Sequence, residues 1–562
     1  MSITTPSRIP VSHNVETADS TAFTDTSKGQ VPPKPWKTYE RILFRIAFIF
    51  FVSISIPNSP EWYTQLVHLN WLHLNYRDLY DIARFGSGIN FFGNTIAGNA
   101  LLGYANWIIT ALIAIGGGLI WTAVAKLRKT ERREYKTLYY WLRVVVRYRA
   151  GIGIIGFGFT KVLPTQLPYP SLGILNTNFG DLTSQKIYWL SIGIVPWYEV
   201  FAGVVEVLAG ILLFFRRTTT LGAILLFGAL SDIVYVNFAY DGGVHVYSSY
   251  FVLLAAFLLV QDIPSIYRLF VNEKDTVPYN WYPRLELPWQ KGVRIGLKSL
   301  TIFLFLIVLF YLQLVNFLYD PYKQPAVAGI KTLRGNYHIT EFRINNRLIP
   351  YSPLDSVRWQ EATFENWSSL TFRVNKPTPL DLSNGGGDPQ RDVNRTFEMS
   401  GIAGGQRVFH YYADEVNKVL YLEDKYKAIP DRRNRVAGEG GDGGGESIRD
   451  AEGAKAKAAG NADGRRKKEK GFWIPREALV NIGEEVNKIN PLASSTRRVR
   501  DYAAAPKNEE RNRMILHYET TDGNRVVLTG IDEHRDSVKI VLDRYNRNYA
   551  LSRSVLQAGK YD

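Results

Sequence analysis

The sequence predicts a membrane α-helical bundle of about seven transmembrane helices followed by a C-terminal all-β domain, a barrel or a sandwich, outside the membrane. Three observations lead there. Residues from Arg41 to Phe317 form a series of apolar stretches of near membrane-crossing length, and the chain from Tyr319 onward is polar. Basic residues cluster in the loops beside alternate apolar stretches, as the positive-inside rule requires. In the polar half, short runs alternate apolar and polar residues between turn residues, the pattern of half-buried strands.

Composition excludes several functions. The net charge is +15, but much of it lies beside apolar spans, where orientation in a bilayer accounts for it. No basic helix or aromatic RNA-binding signature accompanies it, so nucleic acid is not an expected partner. The chain has no cysteine, which rules out disulfides, thiolate catalysis and thiolate-held metal or iron–sulfur centres. Residues 1–37, rich in Ser, Thr and Pro and lacking an export-signal pattern, read as a disordered cytoplasmic tail.

The first span is expected over Tyr39 to Pro57. Asn58 to Gly103 mixes bulky apolar and polar residues, which predicts amphipathic helices lying at the membrane interface. His68 and His73 lie there, but a spacing of five suits one helical face poorly, and no metal site is expected. The second span, Tyr104 to Ala125, contains the run Gly116-Gly117-Gly118 and leads into Lys126, Arg128, Lys129, Arg132, Arg133 and Lys136. The third is Leu138 to Pro164 and the fourth Lys186 to Phe215. The loop between them, Thr165 to Gln185, has no Lys or Arg and is expected outside. Spans at Leu221 to Tyr240, Val244 to Val260 and Gly296 to Phe317 complete the set. An inside N-terminus then places the C-terminal domain outside, in the periplasm of a bacterium, and the chain as a whole in the inner membrane.

The C-terminal domain spans 319–562. Segments such as NYHITEFRINNRLIP, SSLTFRVN and KVLYLEDKY predict about eight to ten strands, with a lipocalin-like opening. A Gly-rich, charged stretch at about 430–511 reads as a disordered insertion within it.

The third and fourth spans carry charge where a lipid-facing helix has none, and charge at membrane depth marks a functional site by default. Glu199, Gly203, Glu206 and Gly210 share one helical face. Arg147, Gly151, Ile154, Gly158 and Lys161 share another. Small residues let backbones approach, so these faces are expected to meet. By helical rise, Arg147 lies about 14 Å from the cytoplasmic end of its span, at a depth similar to that of Glu206, and the two are expected to pair. Asp232, with Tyr235 one turn further on, is expected to approach Lys161. Glu199 has no obvious cation and is the candidate for proton handling. His245 falls at an outer membrane edge, where it could titrate. Arg143 and Arg149 could snorkel or meet other faces.

These residues resemble the DoxX family of bacterial membrane proteins. The resemblance rests on Arg147 followed by Gly151, Gly153, Gly156 and Gly158-Phe159-Thr160-Lys161. It continues with Gly203-Val-Val-Glu206-Val-Leu-Ala-Gly210 and the basic turn Arg216-Arg217. It covers 138–271 and implies a four-helix membrane core there, flanked by two added spans in 38–137 and by a loop with the seventh span in 272–318. It also implies association with quinone-linked redox complexes. No cofactor is assigned, and a quinone is one the resemblance allows, its head group then bound between the third, fourth and fifth spans. Glu199, Lys161 and Asp232 would serve catalysis, and Arg147, Glu206, Tyr235 and His245 would bind the cofactor. The long loop after Lys161 and the fused β domain depart from the short family form. They leave open a non-enzymatic membrane anchor or assembly factor that recruits a protein partner through the β domain. A transporter is a third reading.

Overall fold

Proline and glycine punctuation cuts the apolar half into helices. In the computed structural model they are α1 (Thr38–Ser55), α2 (Pro60–His68), α3 (Tyr76–Ala83), α4 (Ala105–Leu127), α5 (Lys136–Val162) and α6 (Leu172–Leu175). There follow α7 (Ser184–Gly193), α8 (Pro196–Leu213), α9 (Thr219–Ala239), α10 (His245–Leu259), α11 (Ile263–Phe270) and α12 (Pro288–Tyr319). The last passes through a π-helical turn at Phe303–Val308. The structure describes residues 36–85, 91, 102–276, 281–382, 385, 390–426, 473–499, 511–551 and 553–561. The tail expected before residue 36 and the low-complexity stretch 427–472 lie outside these residues.

Among the described residues four helices, α4, α8, α9 with its preceding turn, and α12, are long and apolar enough to cross a membrane. The count reaches 6 if α1–α2, bent by 46°, and α10–α11, bent by 77°, each make one span. The seven expected spans are therefore not reproduced as seven apolar helices. The difference lies in α5, whose 27 residues include Arg143, Arg147 and Arg149 in its middle. Helix ends gather as an up-and-down bundle demands. Arg41 pairs with Glu131 at 3.0 Å, and Arg216 stacks on Tyr282 at 3.9 Å. The basic loops thus share one end, and the β domain occupies the other.

Two expectations for the helical half are corrected. The segment before α4 is not wholly interfacial: α2 buries nothing, but α3 is inside the bundle, with Tyr76, Arg77, Asp78, Leu79, Tyr80, Ile82 and Ala83 all buried. Helix ends carry unpaired carbonyls that forbid such burial unless something bonds them. Arg149 does so, donating to the Ala83 carbonyl at 2.7 Å and the Phe85 carbonyl at 2.9 Å. Arg143 likewise donates to the Leu258 carbonyl at the end of α10, at 2.7 Å. The fourth span is not continuous either. Pro196 opens α8 at its first turn, where a missing N–H costs nothing, and α7 is a separate helix.

The C-terminal half is a closed antiparallel barrel. Its strands are β1 (Gly335–Ile344), β2 (Arg347–Leu348), β3 (Glu361–Phe364), β4 (Ser369–Arg373), β5 (Gln406–Asp414), β6 (Val419–Asp424), β7 (Arg513–Glu519), β8 (Arg525–Ile531) and β9 (Ser537–Tyr545). They pair in sequence order, β1 with β3 and so on to β9, and β9 closes back on β1. The short β2 folds onto β1 through Asn345 and Asn346, both at positive φ (50° and 62°), the type I′ hairpin geometry that asparagine tolerates. One side of each of the eight barrel strands points inward, and Tyr337, Phe364, Phe372, Phe409, Leu516 and Leu528 fill the interior. Trp359 stacks on Phe372 with ring centroids 3.7 Å apart. An eight-stranded barrel is just wide enough to be filled this way, so the lumen is a packed core and not a lipocalin-like cup.

Part of the stretch expected to be a disordered insertion is folded. Residues 473–499 fold into α13 (Arg476–Ile482), ended by Gly483 at φ 68°, and α14 (Pro491–Val499). Ile474, Ala478 and Ile482 pack on Tyr412, Val419 and Tyr421 of the barrel's outer face. Ile489 and Ala493 pack near the end of α12. Arg497 is fully buried and reaches Asp320 at the end of α12 (2.9 Å), Glu485 (2.6 Å) and Asp392 (3.3 Å). Arg395 reaches Asp320 at 2.5 Å. Asp392 accepts the Ala326 and Val327 N–H groups at 3.0 and 2.8 Å. A buried ionic knot therefore fastens the last helix to the barrel.

Candidate functional site

The site is built on the α5–α8 pair. Gly158 and Gly151 of α5 face Gly203 and Gly210 of α8. A Cβ added at Gly203 would lie 2.5 Å from the Val162 nitrogen and 2.7 Å from the Gly158 carbonyl oxygen. The two glycine faces meet as expected, with the helices antiparallel.

That register decides which charges pair. Gly158 opposite Gly203 and Gly151 opposite Gly210 put Glu206 level with Ile155, and Arg147 level with Phe214. Arg147 therefore does not pair with Glu206. It donates to the Thr219 hydroxyl at 3.3 Å, at the start of α9, and lies beside the Tyr148 ring. Lys161 reaches back along α8 and takes Glu206 at 2.5 Å, with side-chain exposures of 12% and 2%. The expected approach of Asp232 to Lys161 is not found. Asp232 is exposed on α9 and has no ion pair among the described residues, and Tyr235 beside it is 74% exposed. His245 is buried at the start of α10 against the Phe238 ring (centroids 4.5 Å apart), on elements other than the α5–α8 pair.

Glu199 sits in the first turn of α8, where the helix dipole favours a negative charge. It is fully buried. One carboxylate oxygen accepts the Leu167 N–H at 3.0 Å, and the other has no hydrogen-bond partner among the described residues. The Leu167 bond also folds the chain leaving α5 back over α8. The arrangement is thus a buried carboxylate on the same face of α8 as Glu206, which holds Lys161, at the barrel end of the bundle.

Above it, the loop between α5 and α7 packs against the barrel. Thr183 donates its N–H to the Gly401 carbonyl at 3.0 Å, and the Thr177 hydroxyl donates to Gln406 at 2.9 Å. Glu365, entirely buried, accepts N–H bonds from Leu172 (2.9 Å) and Gly173 (2.7 Å) at the start of α6. Lys186 of α7 donates to the Phe397 carbonyl at 2.7 Å, and burial and the nearby Lys323 pull its ammonium down to about 7. None of these was singled out in the sequence. A lone Glu in a strand run and a Lys at a span edge look like surface residues without the fold.

Glu365 gives a pH test. Burial pushes its carboxyl up to about 7 from 4.5. The folded protein then holds a proton that the unfolded chain has released, so stability falls as pH rises from about 4.5 to 7 and levels off above. The contribution is on the order of 3 kcal/mol. Unfolding midpoints at pH 5 and pH 8 are expected to differ less in Glu365→Gln than in the wild type. An equal difference in both would remove Glu365 from the pH response.

No family model matches the chain, and no solved structure matches it. Among curated proteins, the uncharacterized protein YwoB of Bacillus subtilis (strain 168) is 33% identical over 104 residues, which take in 17% of this chain and 68% of YwoB. The chain belongs to the YwoB family. YwoB is itself described only as uncharacterized, so this membership brings no chemistry, and most of the chain, whichever part aligns, lies outside the aligned stretch.

Proposed function

We propose that the chain is a DoxX-like integral subunit of a quinone-linked redox complex in the inner membrane, with its N-terminus cytoplasmic and its barrel in the periplasm. One observation carries the reading: Glu199 is fully buried and one of its carboxylate oxygens has no hydrogen-bond partner among the described residues, at the same end of the bundle as the Lys161–Glu206 pair. The meeting of the glycine faces that bear Lys161 and Glu206 supports the DoxX-like resemblance.

The residues fit a quinone head group. Glu199 offers an acceptor for a quinol hydroxyl, and Lys161 a donor for a quinone carbonyl. A bound quinone supplies two-electron, two-proton chemistry. Glu199 holds and releases a proton at its free oxygen. Glu206 keeps Lys161 oriented and neutralised at depth, where an unpaired ammonium would be costly. With no cysteine to hold a cluster, the electrons come from a partner protein.

Gentle purification followed by mass spectrometry is expected to find a quinone and partner proteins. Glu199→Gln is expected to lower quinone-dependent turnover at least tenfold and to flatten its pH profile. Unchanged turnover would end the proton role. Lys161→Met with Glu206→Leu removes the pair without leaving one charge buried, and is expected to keep the fold while losing activity.

A second reading, an assembly or export factor, is favoured by one feature. A groove of about 430 Å³ opens where the loop after α5 meets the barrel, among Asp181, Tyr351, Gln360, Arg373 and Lys376. Cross-linking of this rim to a stable partner, without redox activity, would favour it.

A further inference from the structure

The α9 helix packs on α8 and α10 through Gly222, Ala223, Leu226 and Leu230. Its opposite side is open. Ile224, Gly228, Asp232 and Tyr235 follow one another at helical spacing and form a single exposed stripe. Asp232 is seven residues from the helix end at Ala239, about 10 Å along the axis. On a helix long and apolar enough to span a membrane, that depth lies within the hydrocarbon. The carboxylate has no hydrogen bond or ion pair among the described residues, and Lys161, the cation expected to approach it, is taken by Glu206. One turn away, a Cβ added at Gly228 would meet nothing within 4 Å. The stripe thus joins an unpaired acid to an open site where another backbone can come close.

We propose that this stripe receives a membrane-spanning helix of a different polypeptide, which presents a lysine or arginine to Asp232. An intramembrane acid is stable when a partner neutralises it, and glycine permits the close helix approach that buries such a pair. A second copy of this chain is a poorer occupant. A two-fold interface would bring Asp232 against Asp232. The inference rests on the reading of the bundle as membrane-inserted and gives Asp232 a role in assembly, apart from the proton site.

The absence of cysteine allows a clean test. Gly228→Cys is expressed in the native host and treated in its membranes with a thiol-directed photo-crosslinker. Gly296→Cys on α12, also open around its Cβ position, is the control. The expected product is an adduct with one membrane polypeptide through a span bearing Lys or Arg. The adduct falls at least tenfold when Asp232→Lys or Asp232→Leu is added, and returns when Asp232→Lys meets an Asp at the partner's basic position. No adduct above the control, an adduct with a second copy only, or one indifferent to both Asp232 variants would overturn the proposal. Alkaline extraction separates the two failures. A chain that leaves the membranes defeats the inserted-bundle reading itself, whereas one that stays while the adduct fails defeats only the docking role.

Discussion

Arg497→Met is expected to destabilise the protein by about 3–5 kcal/mol, the usual consequence of removing one side of a buried charge cluster. The arginine faces three carboxylates at once, Asp320, Asp392 and Glu485, and is itself fully buried. Its loss leaves Asp320 with Arg395 alone, and Glu485 with Arg391 at 3.7 Å. It also frees α14 from the end of α12, so residues 473–499 should become sensitive to protease before the barrel unfolds. Unfolding midpoints and time-resolved proteolysis of the purified protein measure both. A loss under about 1 kcal/mol would mean that the knot behaves as a surface pair despite its burial.

Gly203→Val is expected to be as damaging, by a different route. The added carbons have nowhere to go. The nearest atoms are the Val162 nitrogen and the Gly158 carbonyl, backbone on the facing helix, and not a side chain that can rotate away. Overpacking of this kind costs about 1–3 kcal/mol, and more where backbone must shift. Separation of α5 and α8 would also pull Lys161 from Glu206. Thermal unfolding in detergent is expected to drop sharply, and Gly228→Val, with open space around it, to leave it unchanged. Equal effects at both positions would show that glycine matters here for reasons other than the α5–α8 contact.

The fold was legible where periodicity is strong. Alternation announced the barrel strands, and a three-to-four residue spacing announced which faces of α5 and α8 meet. What the spacing could not supply was the register. Depths counted from the cytoplasmic ends, Leu138 and Phe215, place Glu206 beside Arg147. In the fold α5 runs past the end of α8, Arg147 lies level with Phe214, and the charges slide past one another, giving Lys161 to Glu206. The arginines of α5 were equally hard to place, because their partners are carbonyls at the ends of α3 and α10, and backbone groups leave no mark in a sequence. Residues 473–499 did carry signals, Pro475 before a helical run and Gly483 after it. The charged Gly-rich neighbourhood concealed them. An acid within an apolar stretch, Asp232, stands out in the sequence, but only the fold shows it facing away from the bundle.

The closure of β9 onto β1 has a consequence for how the chain is made. The first strand leaves the ribosome long before its final neighbour exists, and until β7 to β9 are made a sheet of β1 and β3 through β6 is open. Such a sheet carries unpaired edges that invite wrong partners. The α14 segment is synthesised in that interval, and its grip on Asp320 can dock the waiting sheet against the helical half before β7 arrives. Truncation before β7 should therefore give a protein dependent on chaperones, while truncation before α14 should give one that aggregates, a contrast that pulse-labelling in cells can read directly.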